Sequence, residues 1–214
     1  MLSDEKINEI VNKTKNILTN KGDSMARKVT VAISNRHLHI SKKDLDILFG
    51  NGYELTKLKD LSQPDQYAAN EVVTIIGPKR KIEKVRILGP TRPETQVEVS
   101  ITDCYTLGVK PMVRNSGDVN GTPGITIEGP KGKIDINEGV IVAARHVHLN
   151  VEQAKNLNVK DKEMINVQVN SDRPVVFNDV LVRVSDKFAM DMHIDTDEGN
   201  SGNIRNGMEA IIVD

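Results

Sequence analysis

The sequence contains one short pattern twice, and both copies stand in the same surroundings. The pattern is Arg-His-x-His followed by Ile or Leu, and it begins at Arg36 and again at Arg145. A strand-like apolar run precedes each copy, at residues 28–34 and 140–144, and a capped helix is predicted after each copy. Because matching context on both sides of a motif is hard to obtain by chance, the repeat predicts an internal duplication.

Composition favours short strands joined by many turns over a bundle of helices. The 214 residues include no Trp, three Phe and three Tyr, and Val, Ile and Leu carry most of the apolar content. Short helices are predicted from the caps Ser41 and Asn150. Strands are predicted at residues 28–34, 71–76, 84–88, 96–101, 140–144, 164–169, 180–184 and 190–194. We therefore predict a mainly β fold with short helices.

The start of the chain predicts an amphipathic helix at residues 4–20, followed by a linker near Gly22. Such a helix packs on its own domain or on a partner subunit, or it docks onto a larger assembly. The stretch lacks the apolar core of a secretory signal, and no run of the chain approaches the roughly 18–20 apolar residues of a membrane span.

Charge and cysteine content narrow the function classes further. There are 29 basic and 30 acidic side chains, so no basic footprint for nucleic acid is present. The single cysteine, Cys104, excludes an intrachain disulfide, fits a reducing compartment and is expected in the core. We expect a soluble, intracellular protein with neither nucleic acid nor membrane as a partner.

All five histidines fall within the two motifs or on one further strand. Alternate residues of a strand share a face, so the two histidines of each motif point together. Aligning the two halves places Glu98 level with His193, which gives each half a third ligand-capable side chain. The predicted metal-ligand sets are His37, His39 and Glu98 in the first half, and His146, His148 and His193 in the second. Zinc suits such imidazole-rich sets. Both one binuclear centre and two distant metals stay open.

Polar residues near the histidines include candidates for phosphate binding. Arg92 lies in a stiff loop at residues 89–93, and Arg114 opens a second loop at residues 114–118. The planar guanidinium donates two parallel hydrogen bonds to phosphate, although an ordinary turn with an exposed arginine is the alternative. Residues 34–35 and 195–200 could hydrogen-bond the imidazoles, and the two motif arginines point to the opposite strand face as structural braces.

Taken alone, these residues leave several functions open. The chain has no GxGxxG, no P-loop, no nucleophile elbow and no CxxC pair. A metal-dependent hydrolase such as a phosphoesterase fits the histidines, and so does a non-catalytic module that binds metal or a shell.

Five phrases of the sequence closely resemble the phosphate propanoyltransferase family, a propanediol-utilisation type of phosphotransacylase associated with bacterial microcompartments. The phrases are Ser34-Asn-Arg-His-Leu-His-Ile40, Gly89-Pro-Thr-Arg-Pro-Glu-Thr-Gln-Val-Glu98, Arg114-Asn-Ser-Gly-Asp118, Ala144-Arg-His-Val-His148 and Met192-His-Ile-Asp-Thr-Asp-Glu198. The resemblance runs in uninterrupted order from about Val29 to Val213.

The resemblance implies two small β-barrels with a metal site in the cleft between them. One barrel would combine residues 23–35 with 144–214, and the other would span residues 36–143. The family carries a dinuclear centre, normally of zinc, and its ligands correspond to the two sets given above. Its phosphate-binding arginine corresponds to Arg92, while Ser34, Ser116 and Asn200 match polar positions nearby, the last near the metal ligands or coenzyme A.

The implied reaction is acyl-CoA plus phosphate giving acyl phosphate plus coenzyme A, with a propanoyl or acetyl group and direct attack by phosphate. A homodimer is expected, in the cytoplasm or in the lumen of a microcompartment. Residues 1–22 would then be a candidate encapsulation peptide that contacts the shell.

Overall fold

The computed structural model describes residues 27–214, so the helix predicted at residues 4–20 and the candidate encapsulation peptide at residues 1–22 lie outside the described residues. Within that range the chain forms fifteen strands and four short helices. The strands are β1 (Lys28–Ser34), β2 (His37–His39), β3 (Lys57–Asp60), β4 (Tyr67–Ile76), β5 (Lys81–Gly89), β6 (Gln96–Glu98), β7 (Val113–Arg114), β8 (Ile125–Glu128), β9 (Lys133–Ile136), β10 (Val140–Ala143), β11 (His146–Leu149), β12 (Met164–Val169), β13 (Val175–Val184), β14 (Asp191–Asp195) and β15 (Glu209–Val213). The helices are α1 (Lys42–Phe49), α2 (Ile101–Leu107), α3 (Val151–Asn156) and α4 (Thr196–Ser201).

Six strands close into a barrel in the order β1-β14-β11-β13-β12-β15. Residues alternate between the barrel interior and its outside, as strand geometry requires. Val167, Val182 and Met192 lie fully buried in the resulting core. The apolar side chains of this half therefore have a core of their own.

The remaining strands form a nine-stranded sheet, curled into a half-barrel, in the order β7-β10-β6-β2-β5-β4-β8-β9, with β3 paired to β4. Leu38, Ile75 and Ile127 are fully buried in its core, and Cys104 lies there as expected. The prediction of a mainly β fold with short helices is confirmed, with one closed barrel and one curled half-barrel.

The chain passes between the two units twice, between β1 and β2 and again between β10 and β11. Each passage leads directly into a His-x-His strand, so both motifs begin where the chain enters a new unit. A division into two domains at these passages stays a prediction.

Several hydrogen bonds join the two units. The side chain of Gln63 donates to the carbonyl of Ala189 at 2.9 Å and accepts from its N–H at 3.3 Å. The backbone N–H of Thr102 donates to Asp197 Oδ2 at 2.8 Å. These bonds connect the barrel to the half-barrel.

Several strand boundaries differ from the prediction: β4, β5 and β13 are longer than predicted, and β6 is shorter. The strand predicted at residues 96–101 ends at Glu98, and α2 begins at Ile101. The Ser100 hydroxyl accepts from the N–H of Asp103, whose carboxylate accepts from the N–H of Ser100, which makes a capping box. Among the helices of residues 27–214, none has the length and apolar character to cross a membrane.

Candidate active site

The site is built from two antiparallel strand pairs, one in each unit. In the half-barrel, β2 pairs with β6 so that His37 lies opposite Glu98. In the barrel, β11 pairs with β14 so that His146 lies opposite His193. The alignment of Glu98 with His193 made from the sequence therefore agrees with the register of both strand pairs.

The first triad is compact and buried. His37, His39 and Glu98 are each at most 9% exposed. The Nε2 atoms of the two histidines lie 3.5 Å and 3.9 Å from the carboxylate oxygens of Glu98. Ligand atoms of the three side chains all lie within 4.8 Å of one another, a spacing that suits one metal ion.

The second triad consists of three imidazoles in mutual contact. The ring centroids of His146 and His148 are 4.7 Å apart, and each lies 5.1 Å from the centroid of His193. The ring of His148 also packs on Phe188 at 4.4 Å. Three histidines from adjacent strands thus lie side by side.

The first histidine of each motif is oriented in the same way. Nδ1 of His37 lies 2.8 Å from the carbonyl oxygen of Asn35, and Nδ1 of His146 lies 2.8 Å from that of Ala144. A carbonyl can only accept, so Nδ1 carries the proton and Nε2 keeps a free lone pair. This tautomer leaves Nε2 of both histidines free to bind a metal ion.

Two ring nitrogens of the second triad lack partners among residues 27–214. Nδ1 of His148 and Nε2 of His193 are buried without a hydrogen bond to any described group. Buried polar atoms are normally satisfied, so these two nitrogens call for a missing partner. Together with the orientation of the motif histidines, they fit a metal ion well.

Burial shifts the titration of four histidines strongly. It lowers the pKa of His39 to about 3, with the charges of His37 and Arg92 adding to the effect. It also lowers the pKa of His146 to about 4, of His148 to about 2 and of His193 to about 4. These imidazoles are therefore neutral at pH 7, the form that ligates metals.

Arg92 lies beside the first triad in a network of polar side chains. Its Nη1 donates to Ser116 Oγ at 3.3 Å, and Ser116 Oγ donates to Glu98 Oε1 at 2.9 Å. Gln96 Nε2 also donates to Glu98 Oε1, at 2.6 Å. Burial raises the pKa of Glu98, but the adjacent histidines, the Ser116 hydroxyl and Arg92 outweigh it and leave that pKa below its usual value. The structure thus brings Arg92, Ser116 and Glu98 together.

Arg183 is a cation of the site that the sequence analysis missed. It lies on β13 next to His148 in the parallel register, with its guanidinium 5.8 Å from the ring of Phe188. Burial lowers the pKa of Arg92, Glu98 opposes that effect, and the charge of Arg183 lowers the pKa further. The available signal was a lone arginine within the apolar run Val-Leu-Val-Arg-Val at residues 180–184.

The two triads lie close enough to act on each other. The Glu98 carboxylate, in the half-barrel, raises the pKa of His193 in the barrel against the larger effect of burial, and His37 lowers it. Glu98 acts in the same direction on His146. Side chains of both units therefore contribute to one electrostatic environment.

The other predicted site residues lie in different places. Ser34 contacts the second triad, with Oγ 3.5 Å from Nδ1 of His193. Asn200 is exposed on α4. Asp191 and Gln96, which the sequence analysis did not single out, occupy matching positions opposite His148 and His39. Gln96 lies two residues before Glu98, and Asp191 lies two residues before His193. Residues two apart share a strand face, and this spacing was the signal for both.

Fold and site together define a mainly β protein with a closed barrel and a curled half-barrel, each of which contains one His-x-His strand. Residues 30–205 match the family model described as phosphate propanoyltransferase. A protein named phosphate propanoyltransferase from Thermotoga maritima is 54% identical over 187 residues, which cover 87% of this chain and 89% of the relative. One of the same name from Clostridioides difficile is 50% identical over 185 residues, or 86% and 88% of the two chains. A third, from Lachnoclostridium phytofermentans, is 45% identical over 214 residues, or 99% and 100%. The chain belongs to the phosphate propanoyltransferase family.

Proposed function

We propose that the protein is a phosphotransacylase that converts a short-chain acyl-CoA and phosphate into acyl phosphate and coenzyme A. The observation that carries this proposal is the meeting of two histidine-rich triads with Arg92 and Arg183 at one interface between the units. The name shared by the relatives supports it. The acyl group under this proposal is propanoyl or acetyl.

Two divalent metal ions, zinc by the chemistry of the donors, complete the site in this proposal. His37, His39 and Glu98 would hold one, and His146, His148 and His193 the other. Bound zinc supplies Lewis-acid polarisation of the thioester carbonyl and stabilises a thiolate. The unpartnered nitrogens of His148 and His193 are the support from this chain for the second ion.

Arg92 and Arg183 bind the phosphate. In the absence of an anion the charges of the two arginines repel each other. Burial lowers the pKa of Arg92, Glu98 opposes that effect, and the charge of Arg183 lowers the pKa further. A phosphate dianion between them would neutralise that repulsion, and a guanidinium can donate two hydrogen bonds to it. Ser116, already bonded to Arg92, supplies a further hydroxyl. The roles of Ser34 in binding phosphate and of Asn200 near the metal ligands or coenzyme A stay predictions.

Phosphate attacks the thioester directly in this scheme. One phosphate oxygen forms the new C–O bond, the C–S bond breaks, and sulfur leaves with the electron pair and takes up the proton that phosphate releases. Holding the two substrates together contributes most of the acceleration. Cys104 does not compete as a nucleophile, because it is 1% exposed and burial raises the pKa of its thiol to about 11.

A thiol-release assay tests the function. Metal-replete protein receives acetyl-CoA or propanoyl-CoA, with and without phosphate. We expect release that requires phosphate, stops with a chelator and returns with zinc. Release without phosphate would indicate a thioester hydrolase, and no release would favour a binding module. An acyl group trapped on a side chain after incubation with acyl-CoA alone would contradict direct attack.

The proposal extends to location and assembly. Residues 1–22 would be an encapsulation peptide that directs a homodimer into the lumen of a bacterial microcompartment, supported by the amphipathic pattern of that stretch. Deleting residues 1–22 should abolish co-purification with shells while leaving thiol release intact. Unchanged co-purification would refute the role, and light scattering that reports a monomer would refute the dimer.

A further inference from the structure

Both halves contain the same ion pair between the motif arginine and an acidic side chain of a short helix. Arg36 donates from Nε and Nη2 to the two carboxylate oxygens of Asp103, at 2.8 Å and 2.7 Å. Arg145 Nε lies 2.9 Å from Glu198 Oε1. Asp103 and Glu198 occupy equivalent positions, because each is the third residue of the helix that follows the third strand of its triad.

The same carboxylates also cap those helices. Asp103 accepts from the N–H of the cap residue Ser100 at 3.3 Å, and Glu198 accepts from the N–H of the cap residue Asp195 at 3.1 Å. Each cap residue lies two positions beyond the third side chain of the triad. The acid therefore joins the residue before the His-x-His strand to the end of the strand that carries Glu98 or His193.

The pairing of each His-x-His strand with the strand of the third side chain is short, although β6 also pairs with β10 and β14 also pairs with β1. The pairs β2–β6 and β11–β14 are each registered over only three residues. A slip of one residue would turn every side chain of a strand to its opposite face. Glu98 or His193 would then point away from the histidines. A charge-assisted hydrogen bond close to the register residue opposes that slip.

We propose that Arg36 and Arg145 are positioning residues, each of which keeps the third side chain of its triad in register with the His-x-His pair. The consequence for metal binding rests on the proposed function, whereas the consequence for strand register does not. Within each motif, the two histidines face the site. The arginine keeps the strand that carries the third side chain of the triad in register with them.

The two pairs differ in strength. Arg36 uses both arms of its guanidinium on Asp103, which is 4% exposed. Arg145 makes the single ionic contact with Glu198, and its guanidinium also lies 5.4 Å from the ring of Phe177. Lysine offers a point charge without the fork, so it should replace Arg145 better than Arg36.

Hydrogen–deuterium exchange of the metal-free, full-length protein tests the register. The variants are Arg36→Met and Arg145→Met, with Arg27→Met as the control, because the ion pair of Arg27 with Asp214 lies outside both triads. We expect Arg36→Met to speed exchange in residues 96–99 about tenfold and to leave residues 191–194 unchanged. Arg145→Met should do the reverse, and the control should change neither segment.

Zinc affinity, measured by competition with a chromophoric chelator, tests the link to the site. Each Arg→Met variant should lower the affinity of its own triad about 10- to 100-fold, the usual effect of losing a group that orients a metal ligand. Arg145→Lys should restore most of the affinity, and Arg36→Lys should restore little. Arg27→Met should bind zinc as the unsubstituted protein does.

The outcomes separate the two proposals. Unchanged exchange, or equal acceleration in both halves, would overturn the positioning role. Local acceleration in a protein that binds no zinc at all would uphold positioning and refute the metal centre. If Arg36→Met does not fold, Asp103→Asn removes the charge and keeps an oxygen for the helix cap. It should accelerate residues 96–99 alone, and its failure to do so would overturn the role of Arg36.

Discussion

Arg92 and Arg183 come from different units and act on one small region of the molecule. Arg92 follows β5 in the half-barrel, whereas Arg183 lies on β13 of the barrel. The loop that carries Arg92 begins at Gly89, where a Cβ atom would lie 2.3 Å from the ring of Tyr67. Only glycine fits against that ring. This packing therefore fixes the start of the loop that carries Arg92.

Replacing Arg92 should impair the use of phosphate more than the use of acyl-CoA. We expect Arg92→Ala to lower kcat/KM for phosphate about 10- to 100-fold, because a charged hydrogen-bonding group is lost. The KM for acyl-CoA should change by less than about threefold. Steady-state thiol release at varied phosphate measures both. Arg80→Ala is the matched control, since Arg80 is exposed in the turn between β4 and β5. An unchanged phosphate dependence would remove Arg92 from the site.

The buried histidines should make the metal-free protein sensitive to mild acid. The pKa of His148 in the folded state is about 2, against an ordinary value of 6.5, and burial is the main cause. As the pH falls below 6.5, the unfolded chain takes up a proton that the folded chain refuses, so stability declines. Urea unfolding between pH 7 and pH 4 should show this decline. His148→Gln should reduce the slope by about one proton. Parallel slopes for the two proteins would contradict a neutral, buried His148.

At the scale of elements, short helices with strong caps end the strands that complete the triads. α2 and α4 each begin with a complete capping box directly after β6 and β14. Few turns are available to stabilise these helices, so their caps carry much of the local stability. A weakened cap should therefore loosen the strand end next to it.

Removing the cap of α2 should cost stability of a predictable size. Ser100→Ala should lower the free energy of unfolding by about 1 kcal/mol, since the N–H of Asp103 loses its acceptor. Asn150→Ala, which removes the corresponding cap of α3 in the barrel, should lower the free energy of unfolding by a similar amount. Urea denaturation of both variants measures this. A loss for Asn150→Ala alone would show that Ser100 does not act as a cap.

Local signals account for the elements that the sequence predicted well. β1, α1 and α3 were predictable because a β-branched run or a cap residue marks each of them. The same cap chemistry at Ser100 was overlooked, so a strand was wrongly extended through Ile101. Unpredicted strands such as β7 and β15 are short or gain their pairing from distant residues, which no local pattern records.

The candidate site divides in the same way. The period of two and the repeat were enough to group the side chains of each triad, and the structure brings His37, His39 and Glu98 together. The place of Arg183 depends on the closure of the barrel and on how the two units pack. Neither of these follows from spacing along the chain. Metal binding by either triad stays a prediction.

At the scale of the whole molecule, a few polar contacts join the units. Gln63→Ala removes both bonds to the backbone of Ala189 and should lower the free energy of unfolding by about 1–3 kcal/mol, because two partly buried backbone groups lose their partners. Gln168→Ala is the control: its side chain bonds Asn170 at the surface, and its effect should stay within about 0.5 kcal/mol. Urea denaturation compares the two, and equal losses would contradict a stabilising role for the Gln63 contact.

The double passage of the chain between the units has a consequence for synthesis on the ribosome. β1 is made first, but its barrel neighbours β14 and β15 are among the last strands to emerge. The half-barrel, whose strands are contiguous in sequence, can therefore assemble while β1 still waits for its partners. Its last strand, β10, leads directly into β11, so the barrel can close around β1 only after all strands of the half-barrel have been made.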